Sequence, residues 1–148
     1  MLEAFYQKLK DYDIVLGWNM DNFDFPYIKE RIEKLRMNLD LWFWRWCDLL
    51  KMYKKIIWTL HRAMEEKPKA YSLESASEFE LGKGKVDLGS RFFQVFAEDK
   101  EKAKEYNLED CRLMKAIDEK RNISDIFIEL ASMAGIFVDD CVYFSRIV

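Results

Sequence analysis

The sequence predicts a helix-rich α/β fold, and three observations support this prediction. A short apolar and partly β-branched stretch, "DIVLGW" at 13–18, has the composition of a buried strand. From Phe25 to Met37, apolar side chains recur at the spacing of an amphipathic helix. "LWFWRWCDLL" at 41–50 then alternates its side chains with the period of two that is typical of a strand. Strand, helix and strand in this order indicate an α/β arrangement.

The elements around this unit are predicted to be mainly helical. Apolar residues at helical spacing predict a helix over 2–10. "LLKMYKKIIWTLHRAM" predicts a helix after the second strand, and "EEKPKAYS" interrupts it. Ser72 then suits the N-cap of a helix that begins in "SLESASEF". "LGKGKVDLG" predicts a loop or a small hairpin.

Two helices are predicted in the last third of the sequence. The first is long, runs from Asp99 to Lys120 and carries charges on most of its surface. The second begins at Asn122 or Ser124 and extends to Ala134, because Gly135 suits the left-handed position that follows a helix. We find no repeat, no low-complexity stretch and no domain linker.

Composition restricts the class of protein. The 148 residues have the size of one domain, and half of them are hydrophobic, which excludes general disorder. The longest apolar run, 41–50, contains Arg45 and Asp48, so we expect no membrane span. Three widely spaced cysteines predict reduced thiols in a cytoplasmic protein. A net charge of −3 argues against a protein that coats duplex DNA by charge alone.

Polar residues concentrate where the first strand gives way to its helix. "WNMDNFDFPYIKERIEKL" at 18–35 places Asn19, Asp21 and Asp24 among aromatic side chains, and Pro26 suits the first turn of a helix. α/β proteins commonly place their chemistry at such a junction. A second pair, Tyr106 and Asp110 in "EYNLEDCRLM", is four residues apart, so both side chains share one face of the long helix.

These stretches resemble a known family. Asn19, three residues, then Phe23 and Asp24, between a strand and a helix, resembles the second exonuclease motif of family-B DNA polymerases. "YNLEDCRLM" resembles the third exonuclease motif of that family. "CDLLKMYKK" and "YSLESASEFELGKGKVDL" are similar to its archaeal members, and "LASMAGIFVDDCVYFSR" to the connector towards the polymerase palm. The resemblance extends from about Asp13 to Arg146.

The resemblance implies a role for each matching residue. Asp24 and Asp110 would be carboxylate ligands of catalytic Mg²⁺ or Mn²⁺, because such hard cations take oxygen ligands. Tyr106 would orient the attacking water. Asn19 would hydrogen-bond the single-stranded 3′ end of DNA, and Phe23 would pack beside its terminal nucleotides, since an aromatic face accepts any base. Two metal ions would act on the phosphodiester together.

Other interpretations of single residues remain open. Asp24 suits a helix N-terminus for electrostatic reasons alone. Asp11, Asp13 and Asp21 are expected in solvated turns or caps, and the tryptophans of "WFWRW" under a helix. "GKGKV" lacks the spacing of a phosphate-binding loop, and His61 has no ligand partner one turn away, so neither receives a role.

One expected feature of the family does not occur in these residues. Its first exonuclease motif, an Asp-x-Glu on a strand ahead of the second motif, has no counterpart before Asn19, where Asp11-Tyr-Asp13 is the nearest pair. We therefore expect a truncated ribonuclease H-like 3′–5′ exonuclease fold that lacks its opening strands. A two-metal site draws on about four carboxylates, so the chain alone should be inactive. The exposed edge of the strand "DIVLGW" should pair with another polypeptide, or the chain should be marginally stable and prone to aggregate.

The function expected from the sequence is that of part of a family-B DNA polymerase. Residues 1–122 would form a partial proofreading exonuclease domain, and 123–148 a helical connector. A second polypeptide would supply the first motif, the palm, or both. The source would be archaeal or an archaeal virus, and the location cytoplasmic, at the nucleoid if functional. A separate subunit, a decayed copy and a piece of a longer gene remain open. The rival interpretations are a non-catalytic nucleic-acid-binding or assembly module and an independent nuclease that uses Asp48 or Asp87.

Overall fold

The structure is a computed structural model that describes residues 2–41, 45–60, 66–84 and 99–146, with side chains up to 143. The chain forms two compact units, one of residues 1–60 with 123–148 and one of residues 61–122. In chain order the elements are α1 (Leu2–Leu9), β1 (Ile14–Gly17), α2 (Asp24–Lys34), β2 (Arg45–Asp48), α3 (Leu49–Leu60), α4 (Leu73–Leu81), α5 (Lys100–Arg121), α6 (Ile123–Ala134) and a 3₁₀ helix (Asp140–Arg146). The expectation of a helix-rich α/β fold is confirmed.

A parallel pair of strands lies in the first unit. β1 pairs with β2 in a register that sets Ile14 opposite Arg45 and Gly17 opposite Asp48. Parallel strands need a crossover, and α2 lies within it. Because the strands are parallel, both end at the same edge of the sheet. Residues that follow Gly17 therefore lie beside Asp48 and the start of α3.

The core of the first unit is formed by one face of α3 against α6 and β1. Both helices repeat their apolar residues every three or four positions, so each buries one face. The β1 residues are half-buried, and among the described residues the sheet contains only these two strands. The buried residues of this core are Leu49, Met52, Tyr53, Ile56 and Ile57 of α3 and Ile123, Phe127 and Ala131 of α6.

The second unit is described as a pair of packed helices, α4 and α5. Ser72 is the N-cap of α4, as expected, and its hydroxyl accepts a hydrogen bond from the Ser75 N–H at 3.2 Å. The Glu80 side chain is fully buried, and the guanidinium Nε of Arg121 lies 2.8 Å from its carboxylate. A buried charge needs such a partner, so this ion pair belongs to the packing of α4 on α5.

In the described residues the predicted helices and strands agree with the observed ones in type and order, but some ends differ. α2 ends at Lys34 and not at Met37, and β2 covers only Arg45–Asp48 of the strand predicted over 41–50. The 3₁₀ helix at Asp140–Arg146 has no counterpart in the prediction. Asp99 is the N-cap of α5, and Gly135 follows α6 with φ 67°, the left-handed conformation that the sequence predicted. Several predictions lie outside the described residues: the role of Trp42 and Trp44, the end of the α3 pattern with His61, and the loop beyond Gly84 with Asp87. The predicted boundary at 122/123 stays a prediction. No helix in the described part of the chain is long and apolar enough to cross a membrane.

Candidate nuclease site

The segment that joins β1 to α2, residues 18–23, is a compact series of turns, and we call it the β1–α2 turn. The Asn22 N–H donates to the Asn19 carbonyl at 3.2 Å, and the Phe25 N–H to the Met20 carbonyl at 3.0 Å. Met20 is buried beneath the turn at 3% exposure. A Cβ added at Gly17 would lie 2.4 Å from the Met20 methyl carbon, so the absence of a side chain at Gly17 permits this packing.

Asn19 has an unusual backbone conformation. Its φ is 61°, in the left-handed region that Asn tolerates better than most residues. Its backbone N–H donates to Asp48 Oδ1 at 3.1 Å. Its side-chain Oδ1 accepts from Asn22 Nδ2 at 2.9 Å. Both the backbone and the amide plane of Asn19 are therefore held by hydrogen bonds.

Phe23 and Asp24 stand at the start of α2. Phe23 is the residue before the helix and its side chain is 71% exposed. Asp24 is the first helical residue and is also exposed. Partial burial of its carboxyl raises the pKa of Asp24, its own backbone N–H lowers it, and the negative charge of Asp48 raises it again. Asn19, Phe23 and Asp24 thus lie within one short segment of the first unit.

Asp48 is the buried carboxylate of this region, at 4% exposure. Its Oδ1 accepts the N–H groups of Leu50 at 3.0 Å and Lys51 at 3.4 Å, as an N-cap of α3 does. The same carboxylate accepts the N–H groups of Asn19 and Asp21 from the β1–α2 turn, the latter at 3.4 Å through Oδ2. Donors from two elements together compensate the burial of its charge.

Lys51 makes a second connection between α3 and the β1–α2 turn. Its ammonium lies 2.5 Å from Asp21 Oδ2 and donates to the Tyr143 hydroxyl at 3.1 Å. These hydrogen bonds, to Asp21 first, raise the pKa of Lys51. Asp21 lies in an exposed turn, as the sequence predicted, and is in addition an ion-pair partner. The ion pair itself was not predicted, since Lys51 follows Asp21 by 30 residues and only the fold brings them together.

Tyr106 and Asp110 belong to the second unit. Both lie on α5, one turn apart, and both are half-buried. The shared helix face that the spacing predicted is confirmed by the helix itself. Asp24 lies in the first unit and Asp110 in the second, and a convergence of the two carboxylates stays a prediction.

A metal site requires several donor side chains close together. Among the described residues, no cluster of three or more His, Cys, Asp or Glu side chains is spaced to hold a metal ion. The cysteines are free thiols, with Cys47 and Cys141 buried and Cys111 exposed. Neither described unit by itself therefore assembles a metal centre, and the roles of Asp24 and Asp110 as ligands stay predictions.

Sequence reasoning missed the part that Asp48 plays. It weighed Asp48 only as a substitute catalytic acid, whereas the structure buries its carboxylate against four backbone N–H groups. A local signal was present, because an Asp directly before a helix pattern is a typical N-cap. The further contact with the β1–α2 turn left no local signal.

The resemblance of this strand–turn–helix segment to an exonuclease motif agrees with comparisons with known proteins. Residues 1–77 match the family model described as "DNA polymerase family B, exonuclease domain". The chain is 27% identical over 157 residues to the protein named DNA polymerase II of Escherichia coli (strain K12), covering 87% of this chain and 19% of that protein. It is 34% identical over 127 residues to DNA polymerase 1 of Aeropyrum pernix, covering 76% of this chain and 13% of that protein.

A third relative is a phage enzyme. The chain is 25% identical over 149 residues to the DNA-directed DNA polymerase of Escherichia phage RB69, covering 83% of this chain and 16% of that protein. The chain therefore belongs to the exonuclease-domain family of the family-B DNA polymerases. It spans less than a fifth of the length of each of these three relatives. They come from a bacterium, an archaeon and a phage, so the archaeal assignment stays a prediction.

Proposed function

We propose that this chain is part of the proofreading region of a family-B DNA polymerase and takes part in hydrolysis of single-stranded DNA from its 3′ end. The observation that carries the proposal is the match of residues 1–77 to the family's exonuclease-domain model, because that range contains Asn19, Phe23 and Asp24. The strand–turn–helix geometry supports it, since all three residues lie at one junction.

The first unit supplies groups suited to a single strand. Phe23, with 71% of its side chain exposed, offers a face on which a base of any identity can stack. The Asn19 Oδ1 accepts from Asn22, so the Nδ2 group of the same amide would be the donor to a sugar or phosphate oxygen. Stacking and one amide contact suit a terminal nucleotide whose base can be any of the four.

The acids would serve a metal site that is incomplete in these residues. When bound, Mg²⁺ or Mn²⁺ would stabilise the charge on the scissile phosphate. Asp24 and Asp110 would be ligands, and Tyr106, one turn before Asp110, would orient the water. An Asp-x-Glu strand from another polypeptide or segment would supply the missing carboxylates. The 148 residues alone would then bind a strand end without cleaving it.

A cavity of the first unit, beside the β1–α2 turn, does not suit the DNA backbone. The cavity is about 180 Å³, and among the described residues its lining includes four aspartates but only one cationic side chain, Lys51. A phosphate there would meet net negative charge. The strand is therefore proposed to approach along Phe23. The lining aspartates are Asp21, Asp48, Asp139 and Asp140.

A reconstitution assay tests the proposal. A 5′-labelled single-stranded oligonucleotide is incubated with Mn²⁺ and the chain, with and without a second polypeptide that carries an Asp-x-Glu strand of this family. We expect stepwise shortening from the 3′ end only when both polypeptides are present. Asp110→Ala and Asp24→Ala should each abolish the shortening. Asp118→Ala, a half-buried acid on the same helix as Asp110, is the matched control and should leave it intact.

Other outcomes distinguish the rival interpretations. Cleavage by the chain alone that disappears in Asp110→Ala would contradict the expected inactivity of the 148 residues. Strand binding without cleavage, even with the second polypeptide, would favour a non-catalytic nucleic-acid-binding module. Absence of both binding and cleavage would refute the proposed function. The truncated ribonuclease H-like fold, the archaeal source and an intracellular, nucleoid-associated location belong to the same proposal.

A further inference from the structure

We propose that Asp48 is a positioning residue of this site, whose buried carboxylate holds the β1–α2 turn in the conformation that presents Asn19 and Phe23. The inference rests on the proposed function for the roles of Asn19 and Phe23. It adds a residue that lies 29 positions from Asn19 and that would touch neither the strand nor a metal ion.

The hydrogen bonds of Asp48 serve two elements at once. Leu50 and Lys51 donate their backbone N–H groups to Oδ1 from the first turn of α3, at 3.0 and 3.4 Å. Asn19 donates its backbone N–H to the same oxygen at 3.1 Å, and Asp21 donates to Oδ2 at 3.4 Å. α3 is anchored in the core through its buried face. The carboxylate therefore fixes the turn to a helix that forms the core of the unit.

The β1–α2 turn needs such a contact because its exposed side chains cannot fix it by packing. Phe23 is 71% exposed, so its position depends on the backbone that carries it. Asn19 is held at φ 61°, a region that is unfavourable for most non-glycine residues. Hydrogen bonds from amides to a charged acceptor are strong enough to offset that cost. Met20, buried below, holds the turn from its other side.

Two substitutions separate positioning from helix capping. Serine is as good an N-cap as aspartate, but its single short hydroxyl cannot accept donors from both elements. Asp48→Ser should therefore keep α3 and release the β1–α2 turn. Asparagine retains one carbonyl oxygen in the place of Oδ1, which accepts three of the four N–H groups. Asp48→Asn should therefore retain most of the contact.

Amide hydrogen exchange, followed by NMR on the full 148-residue chain, tests the contact itself. In Asp48→Ser we expect exchange at the Asn19 and Asp21 amides to rise about tenfold or more, as loss of a hydrogen bond to a charged group implies. Leu50 and Lys51 should change little, and Asp48→Asn should stay close to the unsubstituted chain. Asp40→Ser, an exposed acid of the same unit, is the control. Unchanged exchange at Asn19 and Asp21 in a folded Asp48→Ser would overturn the proposal.

Binding of a fluorescent oligothymidylate then tests positioning through a double-mutant cycle. Asn19→Ala and Asp48→Ser should each weaken binding about five- to tenfold, and the double variant should be weakened by less than the product of the two factors, because Asp48 acts partly through Asn19. Effects that multiply independently, or normal binding by Asp48→Ser, would overturn the proposal. If Asp48→Ser does not fold, Asp48→Asn replaces it in the cycle. Asp48→Asn is expected to bind the oligonucleotide nearly as well as the unsubstituted chain, and a loss of binding equal to that of Asn19→Ala would overturn this expectation. A chain that binds no oligonucleotide refutes the proposed function, and hydrogen exchange still decides whether Asp48 holds the turn.

Discussion

The three cysteines illustrate how burial sets the behaviour of single residues. Cys47 is fully buried at the end of β2, and burial, with the negative charges of Asp139 and Asp21, raises the pKa of its thiol to about 12. Burial also raises the pKa of Cys141, which is 2% exposed. Cys111 lies on α5 and is exposed. Only the thiolate reacts with disulfide reagents, so the three positions should differ.

We therefore predict that one thiol reacts quickly with a disulfide reagent at pH 8 in the folded chain. All three should react once the chain is unfolded in guanidinium. Absorbance of the released thiol gives the count, and Cys111→Ser should remove the fast phase. A fast phase that persists in Cys111→Ser would show that Cys47 or Cys141 is more accessible than the structure indicates.

A second prediction at the scale of residues concerns the buried carboxylate of Glu80. Arg121→Ala should lower the free energy of unfolding by about 3 kcal/mol, because it leaves a fully buried charge with a weaker partner, Lys120 at 3.6 Å. Glu80→Gln should cost about 1 kcal/mol, since a neutral amide still accepts the hydrogen bond. The double variant should be more stable than Arg121→Ala alone.

Urea unfolding followed by circular dichroism measures these differences. Lys115→Ala is the matched control, since Lys115 lies on the same helix in an exposed ion pair with Glu119. It should change the free energy of unfolding by less than about 0.5 kcal/mol. Equal losses for Arg121→Ala and Lys115→Ala would contradict the role assigned to the buried pair.

Helix ends are the clearest features at the scale of elements. Asp99 caps α5, and its carboxylate accepts the Lys102 N–H at 3.1 Å. That hydrogen bond is the largest of the contributions that lower the pKa of Asp99. An acid whose pKa is lower in the folded state stabilises the helix above its unfolded pKa. The stabilisation disappears as the pH falls through the lowered folded-state value.

We predict that the first turn of α5 loses helicity at acid pH in the folded chain. The Cα chemical shifts of residues 100–102 should move towards coil values as the pH falls below the range in which an ordinary aspartate titrates. Asp99→Asn should keep the cap and lose the dependence on pH, because Asn is an equally good N-cap without a titrating group. If Asp99→Asn shows the same acid transition, the transition arises from the titration of a group other than Asp99.

Charge is the property that matters at the scale of the whole molecule. The net charge is −3, so the chain cannot hold a nucleic acid through long-range attraction. The proposed contacts at Phe23 and Asn19 depend on stacking and one amide. Each phosphate neutralised on a single strand contributes about −0.7 to the slope of log K against log salt.

We therefore predict a shallow salt dependence for oligonucleotide binding, with a slope of about −1.4 or weaker, equal to two phosphate contacts or fewer. Fluorescence anisotropy between 50 and 300 mM salt, on the order of the physiological range, measures it. Phe23→Ala should weaken binding at every salt concentration without altering the slope. A steep slope would indicate a basic surface that the proposal does not contain.

Local patterns were sufficient to predict most elements. A short apolar run marks β1, a period of two marks β2, and helical spacing marks α1 and α2. Terminal residues mark the beginning of α4 and α5 and the end of α6. The candidate site was located in the same way, because Asn19, Phe23 and Asp24 lie within six consecutive residues at a strand–helix junction. The predicted site fell short at Asp48 and Lys51, which no neighbour in the sequence connects with the β1–α2 turn.

The sequence by itself determined the type and order of most helices and strands, because these depend on neighbouring residues, and it singled out the candidate segment from Asn19 to Asp24. Only the tertiary structure decided that Asp48, 29 residues after Asn19, closes its hydrogen bonds around that segment. It also decided that Arg121, 41 residues after Glu80, supplies the charge that a buried carboxylate requires. The physical reason is the same in both cases. A buried charge is stabilised by hydrogen-bond donors that the packing of distant elements brings within about 3 Å. Patterns of neighbouring residues in the sequence do not reveal that packing.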